Sequence, residues 1–209
     1  MKVAIIAHEI SPKQGSECAA GWNVVMNLAK YNDLELTVFC SIGPQLGADE
    51  YKQAITEYFK ENTPKSLIFK YIEYNKICKK IASINRFFFG SLSGIGLPFL
   101  YYICYRSWQN EVVKSIKSVN QESKFDCIHL LNQITYRQPG RFHKLGIPFF
   151  WGPTGGSETI SKSFIKSLPI GLRVIEFLRL YVTKFLHIAL RNVHDAAKHS
   201  SVIFIDYFF

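Results

Sequence analysis

An uncharged run opens the chain, Val3-Ala-Ile-Ile-Ala7, and the segment after it breaks at Pro12 and Gly15. A short apolar run without alternation predicts a strand buried on both faces, as in the middle of a parallel sheet. Ser16 then stands where it can cap a helix from Glu17 to about Ala29. A glycine turn between a buried strand and a helix N-terminus offers backbone N–H groups and a favourable dipole to an anion. The glycine spacing fits neither a dinucleotide fingerprint nor a phosphate loop with its lysine. The stretch therefore reads either as a phosphate site or as a turn that needs only glycine's conformational freedom. The run starts so early that no signal peptide is expected ahead of it.

The same rhythm repeats. Leu34 to Ser41 predicts a second strand, and Gly43, Pro44 and Gly47 a loop. Asp49 to Glu61 predicts an amphipathic helix with Tyr51, Ile55, Tyr58 and Phe59 inward, and Ser66 to Ile72 a third strand. Strand, helix, strand, helix, strand implies right-handed crossovers. The fold class expected is α/β, a Rossmann-like, open and mostly parallel sheet with helices on both faces, and residues 1–209 form one domain.

The middle departs from this pattern. Lys76, Lys79, Lys80 and Arg86 precede 19 uncharged residues, Phe87 to Tyr105. That length just spans a bilayer, but Gly90, Ser91, Ser93, Gly94, Gly96 and Pro98 interrupt it. Three readings stand: a spanning helix, a hairpin lying in the membrane interface, and two ordinary helices folded into the domain. Trp108 to Val119 continues as helix, with Val112, Val113 and Ile116 inward.

Phe125 to Leu131 predicts a further buried strand ending at Asn132, and Ile147 to Trp151 another. Tyr136 to Leu145 is expected to contain a short helical segment around Pro139. Arg173 to about Lys198 predicts the longest helix, with Arg173, Glu176, Arg179, Thr183, His187 and Arg191 on one polar stripe. Its remaining surface is apolar, far wider than a surface helix needs. It must pack on two sides, or pack on one and touch lipid or a second domain with the other. Ser201 to Ile205 predicts the last strand.

Twenty-five Lys and Arg against 16 Asp and Glu leave a formal charge of +9. That excess suits nucleic acid, anionic headgroups or phosphorylated ligands, but no aromatic-basic recognition motif supports nucleic acid. The five cysteines lack any C-x-x-C pairing, so a reduced, cytoplasmic setting without zinc or disulfides is expected.

In an open parallel sheet, ligands bind beyond the carboxyl ends of the strands. Three loops leave there. The first carries Gly15, Ser16 and Glu17; the second follows His129 and carries Asn132, Gln133, Tyr136 and Arg137; the third carries Gly155 and Gly156, then Ser157 and Glu158. Glycine turns, an arginine, a histidine and two carboxylates on one rim suit a phosphorylated, hydroxyl-rich ligand. Each also has a plainer reading: His129 as a structural core histidine, Arg137 as a surface cation, Glu17 as a first-turn residue favoured by the dipole. No Ser/His/Asp set, paired-histidine metal site or carboxylate pair at useful spacing stands out.

Five blocks occur in order: Glu9-Ile-Ser-Pro-x-x-Gly-Ser-Glu17 with Gly21-Trp22; Phe125-Asp-x-Ile-His129; Arg137-x-Pro-Gly140; Leu145-Gly-Ile-Pro-Phe-x-Trp-Gly-Pro-x-Gly-Gly156; and Glu176-x-x-Arg179. Together they resemble the N-terminal half of group 1 (family 4) glycosyltransferases of the GT-B type, from Lys2 to Ile205. The resemblance implies one lobe of a two-lobed enzyme that transfers a sugar with retention and without a metal or other cofactor, a UDP- or GDP-linked sugar nucleotide being the co-substrate. This lobe would bind the acceptor, a glycan or lipid-linked glycan. A C-terminal lobe with an E-x7-E motif, which these residues do not contain, would grip the donor, and this half alone would be inactive.

Carried over by position, Gly15 and Ser16 face the donor diphosphate, His129 and Asn132 stand beside the transferred sugar, and Gly155 and Gly156 line the cleft. Relatives often carry a second histidine where Leu131 stands here, which leaves the role either shared with Asn132 or lost. Glu17, Arg137, Ser157 and Glu158 fall to the acceptor side. The aromatic middle resembles members that work on lipid-linked acceptors at the inner face of a bacterial membrane, in surface polysaccharide synthesis. The alternative is a non-catalytic module on the same scaffold that binds an anionic membrane surface.

Overall fold

The computed structural model describes residues 1–44, 49–60, 64–93, 97–156 and 161–205. Six strands form one sheet: β1 (Lys2–Ala7), β2 (Glu35–Ser41), β3 (Leu67–Ile72), β4 (Cys127–Asn132), β5 (Phe149–Thr154) and β6 (Val202–Ile205). Their order is β3-β2-β1-β4-β5-β6 and every pairing is parallel. The strand order reverses between β1 and β4, so the chain has a topological switch point where their carboxyl ends diverge. The expected Rossmann-like α/β fold is present.

Two apolar layers explain why the strands read as continuous hydrophobic runs. On one face Ala4, Ile6, Phe39, Ile128, Leu130, Phe149 and Trp151 pack with helix residues Cys104, Tyr105, Trp108, Val112, Ile116 and Ala196. On the other, Val3, Ile5, Val38, Cys127 and Leu131 pack with Trp22, Val25 and Ile55. Ile5, Ile6 and Ala7 are completely buried because β1 is covered on both sides. The five cysteines are all free and buried, small apolar fillers rather than cross-links.

The helices on the second face are α1 (Glu17–Leu28) and α2 (Glu50–Tyr58). Tyr51 and Ile55 point inward as expected, but Tyr58 does not: it is 56% exposed and sets its edge on Trp22 at 4.9 Å. It is the last residue of a short helix, at the margin of the layer.

The uncharged middle folds as two helices, α3 (Lys76–Ser93) and α4 (Pro98–Glu122). Asn85 ties the start of α4 back to α3. Its Oδ1 accepts from Leu97 N at 2.8 Å and its Nδ2 donates to Leu97 O at 3.2 Å, while Pro98 takes the first helical turn of α4. No helix among the described residues is long and apolar enough to cross a membrane.

Three expectations need correction toward the C-terminus. β5 runs past Trp151 to Thr154, because pairing with β6 resumes at Thr154↔Ile205 after a register shift. The short helical segment does fall within Tyr136–Leu145, but as a 3-10 turn at Phe142–Leu145, beyond Pro139 rather than around it. The single helix expected from Arg173 to Lys198 is two, α6 (Ile170–Ala189) and α7 (Arg191–His199), preceded by the short α5 (Lys162–Ser167). Leu190 leaves helical geometry at φ −82°, ψ 72°. The break lets α7 bury Ala196 against the first layer. With α6 shortened, the 25-residue α4 is longer.

Candidate functional site at the carboxyl rim

The rim begins where β1 and β4 part. Ala7 pairs with Asn132 after a register shift, and the Asn132 side chain then continues the pairing beyond both strands. Its Oδ1 accepts from Glu9 N at 3.3 Å and its Nδ2 donates to Glu9 O at 2.5 Å. Gly21 permits this closeness from below. A Cβ there would lie 3.0 Å from both Asn132 Nδ2 and Glu9 O, so a larger residue at that turn would push α1 and the bridge apart by a few tenths of an ångström.

The second tie comes from Glu17 in the first turn of α1. Its Oε1 accepts from Ile134 N at 3.2 Å. The third joins the β4 and β5 exits: Gly155 N donates to Ile134 O at 2.8 Å, Tyr136 N donates to Gly155 O at 3.3 Å, and Thr135 bridges Gly155. The three loops expected to converge are therefore stitched together by backbone and carboxylate hydrogen bonds.

A polar group that sequence reading passed over sits beneath these ties. His8 is buried at the end of β1, edge-on to Tyr74, Tyr105 and Trp108, with its Nε2 2.6 Å from Tyr74 Oη. Its Nδ1 lies 3.8 Å from Glu9 Oε1. Tyr101 Oη reaches the same Glu9 oxygen at 3.5 Å and also bonds Gln133 Nε2, and Gln133 N donates to Tyr105 Oη at 3.4 Å. The available signal was Glu9 itself, which stands in the first sequence block.

The two carboxylates of this rim are pushed in opposite directions. The adjacent His8 imidazole, its Nδ1 3.8 Å away, with Tyr101 and Gln133, holds Glu9 below its ordinary value of 4.5 despite its burial. Burial raises Glu17, the Ile134 N–H opposes that, and the nearby Glu9 charge adds to the rise. Paired carboxyl groups separated in this way give one site that stays anionic and one that holds a proton more readily.

The residues expected at the site divide as follows. Asn132 and Glu17 lie on the rim, as do Gly155 and Gly156, the latter with φ +80° and open space where a Cβ would be. Gly15 is also open, but the left-handed backbone falls on Ser16 instead, at φ 56° and ψ −133°. Ser16 therefore occupies the N-cap position without capping, since its hydroxyl makes no bond to the helix. Arg137 is half-buried, its guanidinium 5.1 Å from the Tyr136 ring and its N–H on Thr135 Oγ1 at 3.4 Å. Arg137 Nε has no hydrogen-bond partner among the described residues. Ser157 and Glu158 lie outside the described residues.

His129 stands inside β4, which ends at Asn132 as expected, so its ring lies three residues below the rim. Its Nε2 donates to Gly152 O at 2.7 Å, and its ring lies 5.6 Å from Phe204. Burial pushes its pKa down and the Gly152 carbonyl partly restores it. Two other blocks have structural duties here: Gly140, at φ +66°, makes a turn tied to Asn192 Nδ2, and Glu176 pairs with Arg179 at 3.2 Å. No group of three or more His, Cys, Asp or Glu among the described residues is placed to hold a metal. A scan against protein-family models and a search of curated proteins found no match to this chain.

Proposed function

We propose that the chain is the acceptor-binding lobe of a retaining, sugar-nucleotide-dependent glycosyltransferase. One observation carries the reading: the exits of β1, β4 and β5 are bound to one another through Glu9–Asn132, Glu17–Ile134 and Thr135–Gly155 at the switch point of an open parallel sheet. The first and fourth of the ordered sequence blocks contribute Glu9, Glu17, Gly155 and Gly156 to that rim. In this reading Glu9, Glu17 and Gln133 offer acceptors and an amide to sugar hydroxyls. The open backbone at Gly15, Ser16 and Gly156 faces the donor diphosphate. Asn132 sets the spacing between the β1 and β4 loops, and His129 steadies the β5 turn from beneath. A donor-binding lobe closes the cleft and supplies the remaining charge stabilisation.

The test is transfer. The chain is fused to the donor-binding lobe of a GT-B enzyme and assayed with UDP- and GDP-linked sugars against glycan and lipid-linked acceptors. Glycoside formation that weakens with Glu17→Ala supports the reading. A well-folded fusion that is silent across the donor panel counts against it.

A second reading, a membrane-surface binding module on the same scaffold, is favoured by the α3–α4 tip. Phe87, Phe88 and Phe99 are 83%, 66% and 58% exposed there, near Lys79, Lys80 and Arg86. Vesicle co-sedimentation that ignores anionic lipid content counts against it.

A further inference from the structure

Helix α6 is built inside out. Among the residues of α6 whose side chains are described, the half-buried and buried positions are Arg173, Glu176, Leu180 and Thr183, spaced three or four apart along one stripe. The opposite side holds Ile170, Val174, Ile175, Leu178, Tyr181, Val182 and Phe185, each more than half exposed. At 100° per residue these seven fill one continuous arc with no charge in it. Arg179 borders the arc on one side and Lys184 on the other.

The inward stripe is held by its own polar bonds. Arg173 donates through Nη2 to Lys166 O at 2.5 Å and to Leu168 O at 3.1 Å, tying α6 to α5, and Glu176 pairs with Arg179. Thr183 is 7% exposed while Phe185, two residues on, is 69% exposed. A helix folding onto its own domain buries the apolar side; here the polar side is buried.

We infer that the outer face of α6 lies in the headgroup–acyl boundary of an anionic bilayer, parallel to the membrane plane. The inference deepens the membrane-surface reading by assigning the contact to this helix. Charge complementarity selects lipid over protein. Between Ser161 and Arg191 there are six Lys and Arg against one acidic residue, Glu176, which is already paired. Cations along both margins of an apolar arc can keep their heads at phosphate level while their stems lie along the acyl boundary. The arc is also far broader than the narrow seam of a helix–helix interface. Because no described helix is suited to crossing, the contact is in-plane.

The whole chain is tested by co-sedimentation with vesicles of phosphatidylcholine alone and of phosphatidylcholine with phosphatidylserine. Binding is expected to require phosphatidylserine and to weaken at least about tenfold in Leu178→Asp and Phe185→Asp. Far-ultraviolet circular dichroism of both variants, whose changed residues face solvent, verifies the fold. Since Trp22, Trp108 and Trp151 are buried, Phe185→Trp supplies a tryptophan at the proposed contact. Its emission is expected to shift to the blue on anionic vesicles and to be quenched by lipids brominated on the acyl chain.

Binding that survives both α6 variants but is lost in Phe87→Asp/Phe88→Asp overturns the assignment to α6 while sparing the membrane-surface reading. Absence of binding to either vesicle overturns both. Self-association that disappears in Leu178→Asp, without vesicle binding, shows a second copy as the occupant and also overturns it.

Discussion

Asn132 grips Glu9 by both sides of its backbone, accepting from the amide at 3.3 Å and donating to the carbonyl at 2.5 Å. A side-chain amide thus does what a paired strand residue would do, and it does so where β1 and β4 can no longer pair directly. Asn132→Ala leaves both Glu9 groups without this partner in a largely enclosed place. The expected cost is about 1–3 kcal/mol, read from the urea midpoint at unchanged slope. Asn132→Asp keeps the acceptor but loses the donor and turns a charge toward the Glu9 carbonyl. It should be no better than alanine at neutral pH, and a wild-type midpoint for either variant would remove the bridge from the account.

Glu17 offers a substitution with an expected gain. Its carboxyl is raised above the ordinary value of 4.5 by burial and by Glu9, while its Oε1 accepts from Ile134 N. The folded chain therefore holds that proton more tightly than the unfolded one, and the contribution is lost as pH rises through the raised value. Glu17→Gln keeps an oxygen for Ile134 and removes the charge. It should be more stable than wild type at neutral pH and equal to it below the ordinary value. Glu17→Ala, without the acceptor, should lose about 1 kcal/mol below the ordinary value and less than that at neutral pH, where the buried wild-type charge is itself unfavourable.

The two lowered histidines predict sensitivity to mild acid. Burial is the main cause at both His129 and His143, with Lys144 and His199 adding to the effect at His143. Their folded values lie below the ordinary 6.5, so the unfolded chain takes up protons first as pH falls. Stability is intact above 6.5 and declines below it, until the folded values are reached. Chemical denaturation at descending pH should show that decline. His129→Gln, which can still donate to Gly152 O, should make it shallower, and an unchanged slope would show that His129 does not contribute.

Two glycines should respond in opposite ways. Gly152 has φ +127°, and a Cβ there would fall 2.2 Å from Phe204 O, against the backbone of β6. Gly152→Ala should cost about 2–4 kcal/mol and loosen β6 first, visible as faster amide exchange at Ile203 and Phe204. Gly15 has open space around its Cβ position. Gly15→Ala should leave the midpoint within about 0.5 kcal/mol, while weakening donor binding in the two-lobed fusion if its backbone faces the diphosphate.

The strands and most helices were legible in the sequence because their signal is local. Val3–Ala7 and Phe125–Leu131 are apolar on both faces, and such runs predict central parallel strands whatever surrounds them. The rim loops followed from strand order alone. Three features were not local. His8 gave no signal, because its partners Tyr74, Tyr105 and Trp108 arrive from elsewhere in the chain. The left-handed residue proved to be Ser16 and not its glycine neighbour, since the loop's closure on Asn132 and Ile134 sets its dihedrals.

The third is α6. Periodicity showed that residues 173–189 carry a polar stripe and a broad apolar remainder, and that much belongs to the sequence by itself. Which of the two faces inward was decided by tertiary structure, when Arg173 bonded the α5 carbonyls and Leu190 turned the chain so that α7 took the place on the core. A helical pattern fixes angles around an axis. Only packing fixes how that axis is rotated against its neighbours, and here it turned the greasy side out.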